Sequence, residues 1–174
     1  MKIIYKNIFN SPSYFALIFS TLALIVAFSL EFIFNLIPCH LCILQRYGYI
    51  AVLLFAILGI KYKKKNFFSI LLVISFMITF SIALWHKGIE AYWWSPTAEC
   101  AEMSINTATF QEELDKANNE KPMAACDQPS PILFNISLVE WSLLYSLLGL
   151  LSVSFLLVKK KINEKEYELQ KYYF

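Results

Sequence analysis

The chain has 174 residues, enough for one domain, and 58% of them are hydrophobic while only 16% are charged. Charged residues make up about 25% of a typical soluble domain, so this composition excludes a soluble protein, and the mean hydropathy of +0.54 agrees. Six Pro and four Gly are too few for a low-complexity or disordered chain. The net charge of +2 is too small for nucleic-acid binding, which needs a dense stripe of Lys and Arg.

Four apolar runs are long enough to cross a bilayer, whose core of about 30 Å requires about 20 helical residues. We predict an all-α, integral membrane four-helix bundle that forms a single domain over residues 1–174. The predicted spans are 14–37, 43–60, 67–85 and 141–158, with a short first loop at 38–42 and a long second loop at 86–140. The first run could instead be a signal peptide, but it is longer than the 7 to 15 apolar residues of a leader.

The distribution of Lys and Arg predicts the orientation, because positive residues are retained on the cytoplasmic side. Eleven of the 15 lie before the first span, between the second and third, or after the fourth. Residues 86–137 carry a net charge of −5. We therefore expect both termini in the cytoplasm and both loops outside it. All four Cys then lie on the oxidising side, where disulfides persist: Cys39, Cys42, Cys100 and Cys126.

The long second loop shows short amphipathic patterns. Ile89, Tyr92 and Trp93 are spaced i, i+3, i+4, which predicts a half-helix in the membrane interface. Residues 108–116 predict one or two further helical turns. We expect the tail at 163–174 to be solvated or to lie along the cytoplasmic interface.

The motif Pro38-Cys39-His40-Leu41-Cys42 opens directly into the second span. A helix N-terminus lowers the pKa of a thiol, and thiolates exchange disulfides. Haem attachment is excluded because Ile43, not His, follows Cys42. A zinc half-site and a structural disulfide stay open, although zinc would need a second close pair and 25 residues separate Cys100 from Cys126. A structural disulfide suits that second pair, whereas redox exchange is the better explanation of the first.

Arg46 follows Cys42 by one helical turn and lies on the same face. Its fixed charge is able to stabilise a thiolate or an anionic cofactor. The alternative is that Arg46 extends to the lipid headgroups. Glu31, near the outer end of the first span, is interpreted as an interfacial residue.

His86 ends the third span at the depth expected for the first Cys pair. It is a candidate hydrogen-bond donor to a reduced cofactor oxygen, or else an interfacial anchor. His40 has two interpretations. A protonated His40 would favour the thiolate form of the neighbouring cysteines, and otherwise His40 is a solvated loop residue. Glu140 suits the start of the fourth helix.

A set of motifs occurs in order along all four spans and the long loop. They are Pro38-Cys39-His40-Leu41-Cys42, Gln45-Arg46, Trp85-His86-Lys87-Gly88-Ile89-Glu90, Trp93-Trp94 before Cys100, and Cys126 before Ile136-Ser137. In this combination the chain resembles the DsbB family of disulfide bond formation proteins.

The resemblance implies a quinone-dependent thiol:disulfide oxidoreductase of the bacterial inner membrane. Its partner would be a periplasmic thioredoxin-like protein of the DsbA type, which attacks a Cys100–Cys126 disulfide and forms a mixed disulfide with Cys100. Cys126 would then exchange with the Cys39–Cys42 pair.

Electrons would arrive at Cys42 and pass to a membrane quinone, ubiquinone or menaquinone, beside Arg46 and His86. The same resemblance implies no metal site.

Two other classes of protein fit parts of the pattern. One is a non-enzymatic membrane subunit whose outer loop holds a structural disulfide between Cys100 and Cys126. The other is a four-helix reductase acting on vitamin K-type quinone epoxides, but such reductases carry their CxxC later in the chain.

Overall fold

The computed structural model describes residues 11–62, 65–95, 97, 100, 124, 126 and 132–173. Four helices make up most of this part of the chain: α1 (Pro12–Phe32), α2 (His40–Lys61), α3 (Lys65–Glu90) and α4 (Leu138–Tyr173). Each contains a segment that is long and apolar enough to cross a membrane. The predicted all-α bundle of four membrane-spanning helices is therefore confirmed.

A short hairpin precedes α4, with strands β1 (Ile132–Leu133) and β2 (Ile136–Ser137) paired antiparallel. Phe134 and Asn135 form its turn with φ of 55° and 61°. Two consecutive residues with positive φ are the requirement of a two-residue type I′ turn. The hairpin was not expected from the sequence.

The first helix ends five residues before the predicted span does. The amide groups of Ile33 and Phe34 both donate to the Ser29 carbonyl, at 2.9 and 3.3 Å, and Asn35 then takes a left-handed φ of 52°. Asn tolerates that conformation better than most residues, and Pro38 disfavours helix in the residue before it. The apolar run thus continues beyond the helix as irregular chain, in which the Leu36 amide donates back to the Leu30 carbonyl at 3.1 Å.

The third helix extends past the predicted end at residue 85 and includes Ile89. The chain turns at Tyr92, whose φ is 57°, and the Trp93 amide donates to the Gly88 carbonyl at 2.8 Å. The expected half-helix is therefore the last turn of α3 and a left-handed C-cap. The predicted turns at 108–116 lie outside the described residues, and the tail continues α4 to Tyr173.

Successive helices pack side by side, α1 on α2, α2 on α3 and α3 on α4. Short connections account for the first two contacts, whereas α3 and α4 pack together although a long loop joins them. The buried core contains Ala16, Phe19, Tyr49, Val52, Ala56, Leu72, Phe76 and Val153. The Tyr145 ring of α4 stacks on Phe19 of α1 at 3.9 Å between centroids, and its hydroxyl donates to the Phe19 carbonyl at 2.8 Å. This contact closes the bundle between the first and last helices.

A glycine allows α4 to approach its neighbours closely. A Cβ atom at Gly149 would lie 2.6 Å from a Phe76 ring carbon and 2.7 Å from a Phe19 ring carbon. Small residues at helix contacts are typical of membrane bundles, where close packing drives association.

We predict that Gly149→Leu destabilises the bundle, because its side chain has to enter space filled by Phe76 and Phe19. Overpacking costs about 1–3 kcal/mol, which exceeds the roughly 1 kcal/mol gained by replacing a helical Gly. Thermal unfolding in detergent, followed by circular dichroism, should give a lower midpoint than wild type. Leu148→Ala, at a residue 56% exposed on the same helix, is the matched control. Equal midpoints for the two variants would contradict the packing argument.

Candidate functional site

The first cysteine pair forms the N-terminal turn of α2. Cys39 is the N-cap residue with extended backbone (φ −83°, ψ 170°), and its sulfur accepts a hydrogen bond from the Cys42 amide at 3.3 Å. The two sulfur atoms lie 2.8 Å apart. This turn exposes backbone N–H groups that have no helical partner, and these favour negative charge on the sulfurs.

The second cysteine pair is held beside the first by backbone hydrogen bonds. The Cys126 amide donates to the Cys100 carbonyl at 2.8 Å, and the Ala124 amide donates to the Pro38 carbonyl at 3.4 Å. Ala124 and Cys39 form an isolated parallel bridge. The two pairs, far apart in sequence, therefore meet at the end of the bundle where α2 begins and α3 ends.

The cluster is shielded from solvent. Cys39, Cys100 and Cys126 are 4%, 1% and 2% exposed, and they pack with Leu41 and Ile89. Cys42 is half-buried and contacts the same group. None of the four cysteines forms a disulfide in this structure.

Cys126 lies against Cys39, and the two thiols differ in acidity. A hydrogen bond from Cys39 lowers the pKa of Cys126 to about 6, with smaller contributions from Cys100, the Leu41 backbone and the charge of His40. Hydrogen bonding to Cys126 and Cys42, together with burial, raises the pKa of Cys39. Cys126 is therefore the thiolate and Cys39 the protonated partner at neutral pH.

His86 reaches the cluster from the last turns of α3. It is 3% exposed, and its Nε2 lies 3.6 Å from the Cys39 sulfur. Its Nδ1 is buried with no hydrogen-bond partner among the described residues. The sequence placed His86 at the depth of the first cysteine pair, and in the structure it is a direct neighbour of Cys39.

Arg46 binds the end of α1. Its guanidinium forms an ion pair with Glu31, donates to the Ala27 carbonyl at 3.1 Å and lies 5.2 Å from the centre of the Phe28 ring. The Arg46 side chain is only 15% exposed. Its charge is neutralised within the bundle by the carboxylate of Glu31. Sequence analysis missed Glu31 as its partner, although opposite charges on neighbouring spans are a recognisable signal of pairing.

A second ionic group joins α3 to α4. Lys87 Nζ lies 3.1 Å from a Glu90 oxygen and 2.8 Å from a Glu140 oxygen. Ser137 donates its backbone amide to Glu140 at 3.1 Å, and its hydroxyl accepts from the Glu140 amide at 3.2 Å, which is a capping box. Glu140 thus lies at the start of α4, as the sequence suggested, while the pairing with Lys87 was not predicted.

Trp94 packs against the cluster. After the turn at Tyr92 its ring stacks on Trp85 at 4.9 Å, and its Nε1 donates to the Trp85 carbonyl at 3.0 Å. Gly88 leaves room for the Trp94 ring to pack against α3, because a Cβ atom at position 88 would overlap that ring. No spacing pattern in the sequence predicts this contact.

Four apolar helices with two cysteine pairs gathered at one end define a membrane thiol protein. The model of the family described as disulfide bond formation protein DsbB matches residues 10–156. The chain therefore belongs to the DsbB family and is a multi-pass membrane protein of disulfide bond formation.

Similar proteins have comparable lengths. Disulfide bond formation protein B of Cupriavidus pinatubonensis is 27% identical over 161 residues, covering 88% of this chain and 97% of the relative. The protein of the same name from Herminiimonas arsenicoxydans is 26% identical over 143 residues, covering 78% and 87%. Uncharacterized protein RP370 of Rickettsia prowazekii is 24% identical over 147 residues, covering 83% and 86%. No solved structure matches the chain at the level required of these comparisons.

We predict that Cys126 of the reduced protein is alkylated with a midpoint near pH 6, because the thiolate reacts and dominates above the pKa. Cys39→Ala removes the main hydrogen bond and should move the midpoint upward, towards an ordinary thiol. His40→Gln removes the weakest contribution and should move it less. Iodoacetamide labelling at several pH values, with peptides resolved by mass spectrometry, measures each midpoint. A Cys126 midpoint unchanged in Cys39→Ala would refute the hydrogen-bond assignment.

Proposed function

We propose that this protein reoxidises a periplasmic thioredoxin-like dithiol oxidase of the DsbA type and passes the electrons to membrane quinone. The proposal rests mainly on one observation, the contact of Cys126 with Cys39 beside Cys42. A disulfide relay requires the sulfur atoms of its two cysteine pairs to approach one another. A purely structural disulfide in the loop would not have to lie near the first pair. Family membership supports the thiol chemistry.

In the proposed relay, a thiolate of the partner attacks Cys100 in a Cys100–Cys126 disulfide. The bond between Cys100 and Cys126 breaks, and Cys126 leaves as a thiolate. Cys126 then attacks Cys39 in a Cys39–Cys42 disulfide, and Cys42 leaves as a thiolate. The second thiol of the partner resolves its mixed disulfide with Cys100, which leaves as a thiolate. Cys100 then attacks Cys126 and Cys39 leaves as a thiolate, so that the Cys100–Cys126 disulfide is restored and two electrons have moved from the partner to the Cys39–Cys42 pair.

Thermodynamics requires a strong terminal oxidant for this cycle. Proteins of the DsbA class have a reduction potential near −120 mV, and each 30 mV of a two-electron couple corresponds to about 1.4 kcal/mol. A relay made only of thiols with lower potentials would stop at equilibrium. A bound quinone supplies the final oxidation by taking up two electrons and two protons.

The residues around Arg46 fit a quinone. An apolar groove of about 430 Å³ follows α1 and is lined by Thr21, Leu24, Ile25, Phe28, Ser29, Phe32, Ile33 and Leu53. Its Phe28 ring lies beneath the Arg46 guanidinium. An apolar groove beside a fixed charge suits a prenylated ring with polar oxygens. Arg46 would orient the ring, Cys42 would present its thiolate, and His86 would donate a hydrogen bond to an oxygen of the reduced quinone.

The proposed orientation follows from the charges of the sequence. Lys and Arg are concentrated at the termini and between α2 and α3, which places those segments in the cytoplasm. The four cysteines then lie on the periplasmic side of the bacterial inner membrane, where a soluble partner has access to Cys100.

We predict that the purified protein, given a reduced thioredoxin-like partner and a quinone analogue, consumes quinone in proportion to the thiols lost. Quinone absorbance and free thiols are measured together. Cys42→Ser should abolish turnover, and Cys100→Ser should abolish capture of the partner. A non-enzymatic subunit would show no turnover with either ubiquinone or menaquinone analogues, and that result would reject the proposal.

We predict that Arg46→Ala raises the KM for quinone by roughly ten- to hundredfold, since a charge-assisted hydrogen bond contributes about 1.5–3 kcal/mol. The rate of exchange with the partner should change little. Glu31→Gln keeps an acceptor for Arg46 and should alter the KM far less. Steady-state kinetics with varied quinone and varied partner separate the two effects. Equal losses in both half-reactions of Arg46→Ala would show that Arg46 acts on the fold instead.

A further inference from the structure

The sulfur cluster has a property that the electron relay does not use. The sulfur atoms of Cys39 and Cys126 and a ring nitrogen of His86 all lie within 4.8 Å of one another, and all three residues are buried. Cys42 adds a third sulfur, 2.8 Å from that of Cys39. We propose that the fully reduced protein binds one Zn²⁺ ion through Cys39, Cys42, Cys126 and His86, and that the bound ion arrests the thiol relay.

The ligand set matches zinc chemistry. Three thiolates and one imidazole form a Cys₃His set, which is common in tetrahedral zinc sites. Bond lengths of about 2.3 Å to sulfur and 2.0–2.1 Å to nitrogen place a tetrahedral sulfur and nitrogen about 3.6 Å apart, and two sulfurs about 3.8 Å apart. Cys39 and His86 already stand 3.6 Å apart. Cys42 is not one of the three residues that already lie within 4.8 Å of one another, so a side-chain rotation has to move its sulfur about 1 Å away from Cys39 and towards Cys126 and His86.

The spacing in the sequence argued against zinc, because Cys100 and Cys126 are too far apart in the chain to form the second closely spaced ligand pair of a typical zinc site. The structure changes that argument, since Cys126 alone joins the first pair and His86 replaces the missing fourth ligand. Cys42 and Cys100 both lie outside the set of three. Cys42 is included because its sulfur is next to that of Cys39, whereas Cys100 is not a proposed ligand and serves as the control.

Binding is a proton exchange with no change of oxidation state. Each thiol that coordinates releases its proton, and His86 coordinates as the neutral ring. Coordination at Nε2 leaves the proton on Nδ1, which has no acceptor among the described residues. A hydrogen-bond acceptor for the ring nitrogen that does not bind the metal strengthens a His ligand. The affinity for Zn²⁺ should therefore depend more on the sulfur atoms than on His86. An oxidised protein lacks the thiolates and cannot form the site.

The test uses the full-length protein in detergent, reduced and free of oxygen, with Co²⁺ as a spectroscopic probe and Zn²⁺ as the competitor. We expect one Co²⁺ per chain, a thiolate-to-metal charge-transfer band, and displacement by Zn²⁺. Cys126→Ser should weaken binding by at least a hundredfold and His86→Ala by at least tenfold. The matched controls Cys100→Ser and His40→Ala should bind as wild type does.

Three results would overturn the proposal: Co²⁺ binding without a thiolate band, equal binding by the oxidised protein, or equal affinity in Cys126→Ser and Cys100→Ser. Helical circular dichroism of each variant verifies that the fold is intact. The binding measurement needs neither partner nor quinone, so its failure is distinct from failure of the proposed oxidase. In the turnover assay, Zn²⁺ should inhibit the reduced wild type and a chelator should restore it.

Discussion

The site depends on a small contact between the loop and the chain just ahead of α2. Ala124 donates to Pro38, which attaches the loop to the first thiol pair, and Cys126 donates to Cys100, which joins the two residues of the second pair. A hydrogen bond contributes only about 0.5–1.5 kcal/mol net, much less than the packing of four apolar helices. The contact therefore belongs to the least stable part of the described chain. That suits the proposed relay, in which Cys126 has to exchange partners while the bundle stays fixed.

Charge pairing fixes the framework around this weak contact. Arg46 and Glu31 join α2 to α1, and Lys87 joins α3 to Glu140 of α4. A charge within the membrane is costly unless it is paired, so Glu31 holds Arg46 in place and the pair joins the end of α1 to the start of α2. Removing one partner leaves an uncompensated charge, which destabilises more than replacing both. The same pairs that make the charges tolerable thus determine how the helix ends meet at the thiol cluster.

The sequence predicts the helices better than their ends. Bilayer thickness fixes how long an apolar run has to be, but local backbone geometry at Asn35 and Tyr92 ends α1 and α3. At the site, spacing alone placed Cys39 and Cys42 on one turn and His86 at their depth. The approach of Cys126 to Cys39 has no signature in periodicity, because a long irregular loop separates them, and only the family resemblance suggested it. The Arg46–Glu31 pair was readable from opposite charges and was overlooked.

The acidity of Cys126 belongs to the fully reduced site, because the hydrogen bond that lowers its pKa to about 6 comes from the Cys39 thiol. In the proposed relay Cys39 is bonded to Cys42 both when Cys126 leaves Cys100 and when Cys126 attacks Cys39, so Cys39 has no thiol proton to donate in either step. At pH 7 a thiol with a pKa of about 6 is about 90% thiolate, against about 1% for a pKa of 9. A stabilised thiolate favours the reduced form of a disulfide couple, and a stabilised reduced form is what makes proteins of the DsbA class strong oxidants. The contact with Cys39 therefore raises the oxidising power of the Cys100–Cys126 couple without accelerating either exchange step.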